Sequence, residues 1–302
     1  MTVVAEVVRS GFVESRHHGS VVALSPSGSV LLSVGDVATP VFPRSCNKPL
    51  QASGLLGLGL AERFGLDLRH VALATASHLA EPVHLDVVRD LLARAGVTED
   101  DLGCPPEPTR IAHNCSGKHA AFLATCVMND WPLASYLDPA HPLQVHLRSV
   151  VESLAGEDVA TLGVDGCGAP IFALSLTGLA RAFGRIACAS DGPESVVAQA
   201  IRTHPDLIVG TGHDVTRLIG AVPGLIVKDG ADGVYAAALA DGTAVALKIG
   251  DGAARARPPV MVAALRALGA TGDEAVLDGL ASPAVLGGGV RVGSVRAVPG
   301  LF

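Results

Sequence analysis

The chain of 302 residues is poor in lysine and in charge of either sign, and it has no long apolar run. Only 17% of its residues are charged and the net charge is -7. No cluster of Lys or Arg is present that could displace counterions from phosphates, which excludes a nucleic-acid footprint and leaves a small molecule as the expected partner. No stretch approaches the roughly 20 apolar residues that cross a bilayer. Glu6, Arg9 and Glu14 interrupt the opening segment where a signal peptide needs apolar continuity, so the expected location is cytoplasmic. The six cysteines (Cys46, Cys104, Cys115, Cys126, Cys167 and Cys188) form no CxxC pair, and the eleven histidines show no zincin spacing. Free thiols, some of them candidate metal ligands, fit this pattern better than a disulfide framework.

What is present is apolar bulk. With 49% hydrophobic residues and a mean hydropathy of +0.44, the chain can bury a large core. Val3 to Val34 reads as extended, broken by a Ser25-Pro26-Ser27-Gly28 turn. Ser45 to Phe64 reads as a helix, with Pro49 tolerated in its first turn. Val71 to Ala76 reads as a short buried strand leading to Ser77. Helices are expected at about Pro82–Ala95, Gly117–Met128, Pro142–Leu154, Phe172–Phe183, Glu194–Thr203 and Pro259–Leu268, and a capping box at Thr98 and Asp101. Strands are expected at Ala160–Val164, Leu225–Val227, Gly233–Leu239 and Thr243–Ile249, the last two joined by Asp241-Gly242, followed at the end by a Gly-rich tail. With strands at both ends, helices between them, no internal repeat and no long linker, the chain reads as one α+β domain over residues 1–302, its sheet mainly antiparallel and flanked by helices.

Chemistry concentrates on the lysines. The chain has four (Lys48, Lys118, Lys228 and Lys248) against 18 arginines, so its ordinary surface charge rests on a residue that keeps its proton. Ser45 and Lys48 stand three apart at a predicted helix start, where a neutral amine would reach the hydroxyl and helix amides would stabilise an oxyanion. The plainer reading makes Ser45 an N-cap and Lys48 a surface charge. Ser77 ends an apolar run in Ala-Thr-Ala-Ser-His, and Lys248 lies in the closing strand between apolar neighbours. Lysines that converge on one pocket depress one another's pKa values, which would supply neutral amine. Cys115 and Lys118 again stand three apart at a helix start, and Cys167 follows a strand in a glycine turn. Lone cysteines at such places are more often small buried hydrophobes than ligands, and the spacing alone points only weakly to zinc.

Together these segments closely resemble the L-asparaginase II family of the Rhizobium etli type. The resemblance runs through Glu14 to Gly19, Arg44-Ser45-Cys46-Asn47-Lys48-Pro49, Ala76-Ser77-His78, His113 to His119, Asp165-Gly166-Cys167, Lys228 to Gly233 and Leu247-Lys248. It implies a fold similar to serine β-lactamases and penicillin-binding proteins, a homodimer, and hydrolysis of L-asparagine to L-aspartate and ammonia. It also implies two catalytic pairs, Ser45 with Lys48 and Ser77 with Lys248, polar support from Arg44 and Asp165, and a Zn2+ site made by Cys115, Lys118 and Cys167. Asp232 stands where the family usually has Glu, which bears on substrate affinity more than on chemistry. A glutaminase or other β-lactamase-like serine amidohydrolase, and a non-catalytic zinc-binding protein, remain the alternatives.

Overall fold

The computed structural model describes residues Thr2–Phe302. The long alternating N-terminal segment forms β1 (Thr2–Arg9), β2 (Phe12–Leu24) and β3 (Val30–Val34). The middle of the chain adds only a two-stranded ribbon, β4 (Leu162–Val164) with β5 (Pro170–Phe172), before β6 (Ile226–Gly230), β7 (Val234–Ala238) and β8 (Ala244–Ile249). The chain closes with β9 (Ala284–Gly287) and β10 (Val290–Ala297). All pairings are antiparallel, and the main sheet runs β6-β7-β8-β2-β1-β10-β9, with β3 pairing β2 where β1 leaves it. N- and C-terminal strands thus share one sheet, as the sequence predicts, because the 13-residue β2 is long enough to pair with β1 and with β8.

The helices are α1 (Lys48–Gly57), α2 (Leu60–Phe64), α3 (Leu68–Ala74), α4 (Pro82–Ala95), α5 (Ser116–Met128), α6 (Pro142–Ala155), α7 (Leu176–Cys188), α8 (Gly192–Thr203), α9 (Pro205–Ile208), α10 (Asp214–Ala221), α11 (Arg257–Ala267) and α12 (Glu274–Ala281). The register places Lys228, Ala236, Ala244, Ala246 and Lys248 on one face of the sheet and Tyr235 and Leu247 on the other, since side chains alternate along a strand. Helix α7 packs on the first face, where Gly184 approaches Ala244, and α11 covers the second, where Arg257 lies over the Tyr235 ring. One apolar cluster draws residues from Val4 to Leu280, and nearly all of α5 is buried.

Three local expectations are corrected. Val71–Ala76 is not a strand: Asp67 accepts the amides of Arg69 and His70 and starts α3, which ends at Ala74. A short apolar run buried on all sides carries no period that separates helix from strand, and the N-cap decides it. Phe172 belongs to β5, and the following helix begins only at Leu176, where the Ser175 hydroxyl accepts the Gly178 amide. The glycine-rich tail is structured as α12 and the β9–β10 hairpin, whose turn uses Gly288 and Gly289 at positive φ.

Two glycines set distances around the site. A Cβ on Gly117 would lie 2.5 Å from the Leu73 carbonyl oxygen, so only glycine lets the start of α5 press against the end of α3. A Cβ on Gly230 would lie 2.5 Å from the Pro43 carbonyl oxygen, so glycine likewise brings β6 up to the turn that carries Ser45.

Candidate active site

Ser45 lies in a 3-10 turn, Arg44–Asn47, that leads into α1. It is not a helix cap: Asn47 holds that position without a side-chain bond, and Pro49 sits in the first turn of α1. Lys48 is not a surface charge either, being 1% exposed. Its amine donates to the Ala76 carbonyl and, at 3.0 Å, to Ser77 Oγ. Ser77 follows α3 in an irregular segment pinned from two sides. The Ser77 and Leu79 amides donate to the carbonyls of Ile208 and Val209, each at 2.8 Å, and the His78 amide donates to that of Asn114 at 3.2 Å.

The four residues therefore pair differently from the expectation. Lys48 engages Ser77, and Lys248 turns its amine onto the Ile249 carbonyl at 2.6 Å. Neither a Ser45–Lys48 nor a Ser77–Lys248 side-chain hydrogen bond occurs among the described residues. Spacing along the chain put Ser45 and Lys48 on one helix face, but the segment after α3 crosses in front of the Lys48 amine and takes its hydrogen bond.

Burial is the main force on Lys48 and lowers its pKa. Cys115 opposes this, while the charges of Lys228 and Lys118 push the same way as burial. The lysines that act on Lys48 are thus Lys228 and Lys118, with Lys248 standing apart. A neutral Lys48 can accept a proton, and its 3.0 Å contact with Ser77 Oγ is within the reach required of a general base.

Beside this pair, Cys115, Lys118 and Cys167 come together. Lys118 Nζ lies 3.1 Å from Cys167 Sγ, and the Cys115 thiol donates to Asn114 Oδ1 at 3.2 Å. All three side chains are buried. Cys115, Lys118 and His119 beside it lower the Cys167 pKa against the opposing cost of burial, while the Cys115 pKa is raised by Cys167 and by burial. Burial disfavours charge on Lys118, but the sulfurs of Cys167 and Cys115 outweigh it and raise its pKa. His119 adds a neighbour that the sequence reading did not single out. Its Nδ1 is 2.6 Å from the Tyr136 hydroxyl, which accepts the Gly103 amide and so donates to the ring, leaving the proton on Nε2 toward Cys167. That Nε2 is buried and completes no hydrogen bond.

A pocket of about 400 Å³ opens next to the turn, lined by Val41, Phe42, Arg44, Asp232, Lys248 and the β4–β5 ribbon. Arg44 Nε donates to Asp165 Oδ1 at 2.8 Å, and its Nη1 donates to Asp232. Arg44 and Asp165, expected as polar support, are thus bonded to each other at this wall.

The family model for L-asparaginase II matches residues 5–297. The chain belongs to the L-asparaginase II family. No curated protein matches it. Among solved structures, a β-lactamase from Mycobacterium bovis is 14% identical, with a TM-score of 0.50 over 82% of this chain and 94% of that one. Mglu in its native form is 15% identical, with a TM-score of 0.36 over 78% of this chain and 61% of that one. The first likeness establishes a β-lactamase-like fold for this member of the family.

The fourth lysine, given no role in the sequence, is wholly buried behind the Ser45 turn. Lys228 Nζ lies 2.6 Å from Asp229 Oδ1, and Arg257 bonds Asp229 Oδ2 at 3.4 Å and the Gly230 carbonyl at 2.7 Å. Burial would raise the Asp229 pKa, but Lys228 and Arg257 hold it well below the usual carboxylate range. Cys46 Sγ donates to the Lys228 carbonyl at 3.1 Å, which ties β6 to the turn. Replacing Asp229 with Asn would leave a buried ammonium without its partner, a loss of about 3–5 kcal/mol. Urea unfolding of Asp229→Asn is expected to show that loss, and a change of about 0.5 kcal/mol or less, the size of an ordinary surface substitution, would contradict the account.

Proposed function

We propose that the chain hydrolyses the side-chain amide of L-asparagine to L-aspartate and ammonia through a serine acyl-enzyme. The observation that carries this reading is the buried amine of Lys48, one helical turn from Ser45 and hydrogen-bonded to Ser77. Ser45 attacks the amide carbon, and its proton passes to neutral Lys48. Amides at the start of α1 stabilise the oxyanion. When the carbon–nitrogen bond breaks, Lys48 returns the proton through Ser77 to the departing ammonia. Water then attacks the acyl-serine and gives its proton to Lys48, which passes it to the departing Ser45 oxygen, so that aspartate leaves and both the Ser45 hydroxyl and neutral Lys48 are restored. Lys248 lines the pocket as a cation for a substrate carboxylate, and Arg44 with Asp165 forms the adjoining wall.

A Zn2+ ion belongs to the same reading, held by Cys115, Lys118 and Cys167. Two thiols and an amine in one buried corner form a nitrogen and sulfur donor set that suits zinc. Among the described residues no group of three or more His, Cys, Asp and Glu side chains could hold a metal, and the amine of Lys118 would serve as the third ligand in this reading. Bound zinc would orient substrate or keep the pocket in shape, since a serine nucleophile removes the need for a metal hydroxide. Ligation requires Cys115 and Lys118 to release protons, so occupancy falls as pH drops. A homodimer and a cytoplasmic location complete the proposal; among the described residues no helix is long and apolar enough to cross a membrane.

Two measurements test this reading. Ammonia release from L-asparagine is expected to fall by about 10³-fold or more in Ser45→Ala, as for other serine nucleophiles, and to fall strongly in Ser77→Ala. Near-wild-type turnover in Ser45→Ala with turnover abolished in Ser77→Ala would move the nucleophile to Ser77. Metal analysis of the purified protein is expected to find about one zinc per chain, lost in Cys115→Ser. Wild-type protein without zinc would remove the metal from the mechanism.

A further inference from the structure

Two of the five non-glycine residues at positive φ among the described residues, Arg44 at 52° and Asp232 at 54°, both line the pocket and form an ion pair. Such backbone conformations are costly for side-chain-bearing residues and collect at functional sites. Asp232 occupies the tight turn between β6 and β7, pressed against the end of β8. A Cβ on neighbouring Gly233 would lie 2.8 Å from the Ile249 carbonyl oxygen, and one on Gly252 would lie 3.3 Å from Asp232 Cα. The turn is fixed, yet the Asp232 side chain is 66% exposed, against 11% for Asp165.

The pocket is therefore lined by two cations, Arg44 and Lys248, and by the Asp232 carboxylate, while a second anion, Asp165, lies behind Arg44 outside the lining. Asp165 is sequestered, bonded to Arg44 Nε, and its turn is closed by the Asp165 amide on the Ala169 carbonyl at 2.9 Å. Asp232 presents its carboxylate to the open pocket and bonds only the outer nitrogen Nη1 of the same guanidinium. A carboxylate has about four acceptor positions, so Asp232 can keep Arg44 and still accept donors from a ligand. With Arg44 and Asp165 closed on each other, Asp232 and Lys248 remain as one anion and one cation lining the same pocket. That arrangement complements a zwitterion.

We propose that Asp232 receives the α-ammonium group of the substrate and makes the pocket selective for α-amino acids over their deamino analogues. The proposal rests on the amidohydrolase reading above and names how that site recognises its substrate. Asp232→Asn removes the charge, keeps the volume, and suits the backbone, since Asn accepts positive φ readily.

The test compares L-asparagine with succinamic acid, which lacks only the α-amino group, in wild type, Asp232→Asn and Asp232→Glu. Losing one charged hydrogen bond is expected to lower kcat/KM for L-asparagine by about 10- to 100-fold, mainly through KM. Succinamic acid turnover should change by less than about 3-fold, a shift too small to reflect a lost hydrogen bond, and Asp232→Glu should restore part of the preference. Equal losses on both substrates, or no loss on L-asparagine, would overturn the assignment. Calorimetric binding of L-aspartate and succinate reads the same subsite without turnover. A wild-type preference for aspartate that vanishes in Asp232→Asn supports the subsite even if no amide is cleaved, a result that would sink only the hydrolase reading; no preference in wild type overturns the subsite.

Discussion

The buried amine of Lys48, held between the start of α1 and Ser77, is the constraint around which the rest of the site is arranged. A lysine removed from water loses the hydration that stabilises its charge, and here two more lysines, Lys118 and Lys228, stand near enough to add repulsion. Each of those has its own anion: Lys118 has the Cys167 sulfur and Lys228 has Asp229. Lys48 has a carbonyl and a hydroxyl instead. Burial and the two flanking lysines thus lower the Lys48 pKa, which favours the neutral amine that a base requires.

The fold supplies this arrangement by bringing distant segments together. The Ser45 turn leans on β6 because Gly230 has no side chain and Cys46 bonds the Lys228 carbonyl. The segment carrying Ser77 is fixed by main-chain bonds to Ile208, Val209 and Asn114. His78 ties the same segment to the start of α5. The Ala80 amide donates to its Nδ1 at 3.1 Å, which leaves Nε2 to donate to Ser116 Oγ at 2.9 Å. Ser77 and the cysteine and lysine corner therefore share one hydrogen-bonded frame, and burial keeps His78 neutral within it, its pKa lowered to about 3.

Much of this was legible in the chain. The N-terminal strands, the Asp241-Gly242 hairpin, helices such as Pro82–Ala95 and the antiparallel sheet followed from period and turn chemistry. The small number of lysines directed attention to Lys48, which the fold buries, and the motifs correctly indicated the family. What failed did so for physical reasons. Val71 to Leu73 is buried on all sides, so its apolar pattern could not separate helix from strand. The Lys48–Ser77 contact joins residues 29 apart, and only the folded crossing of the post-α3 segment creates it. His119 carried a weak signal as the neighbour of Lys118, whereas Lys228 with Arg257, and Arg44 with Asp232, had none, because those contacts depend on tertiary placement.

The most direct test of this account is the proton affinity of Lys48 itself. With only four lysines in the chain, side-chain NMR of lysine-labelled protein, assigned through Lys48→Arg, would follow each amine across pH. The account predicts that Lys48 titrates below the ordinary lysine value of 10.5. A Lys48 that titrates at or above that value would be a charged amine at neutral pH, and the proposed base would not exist.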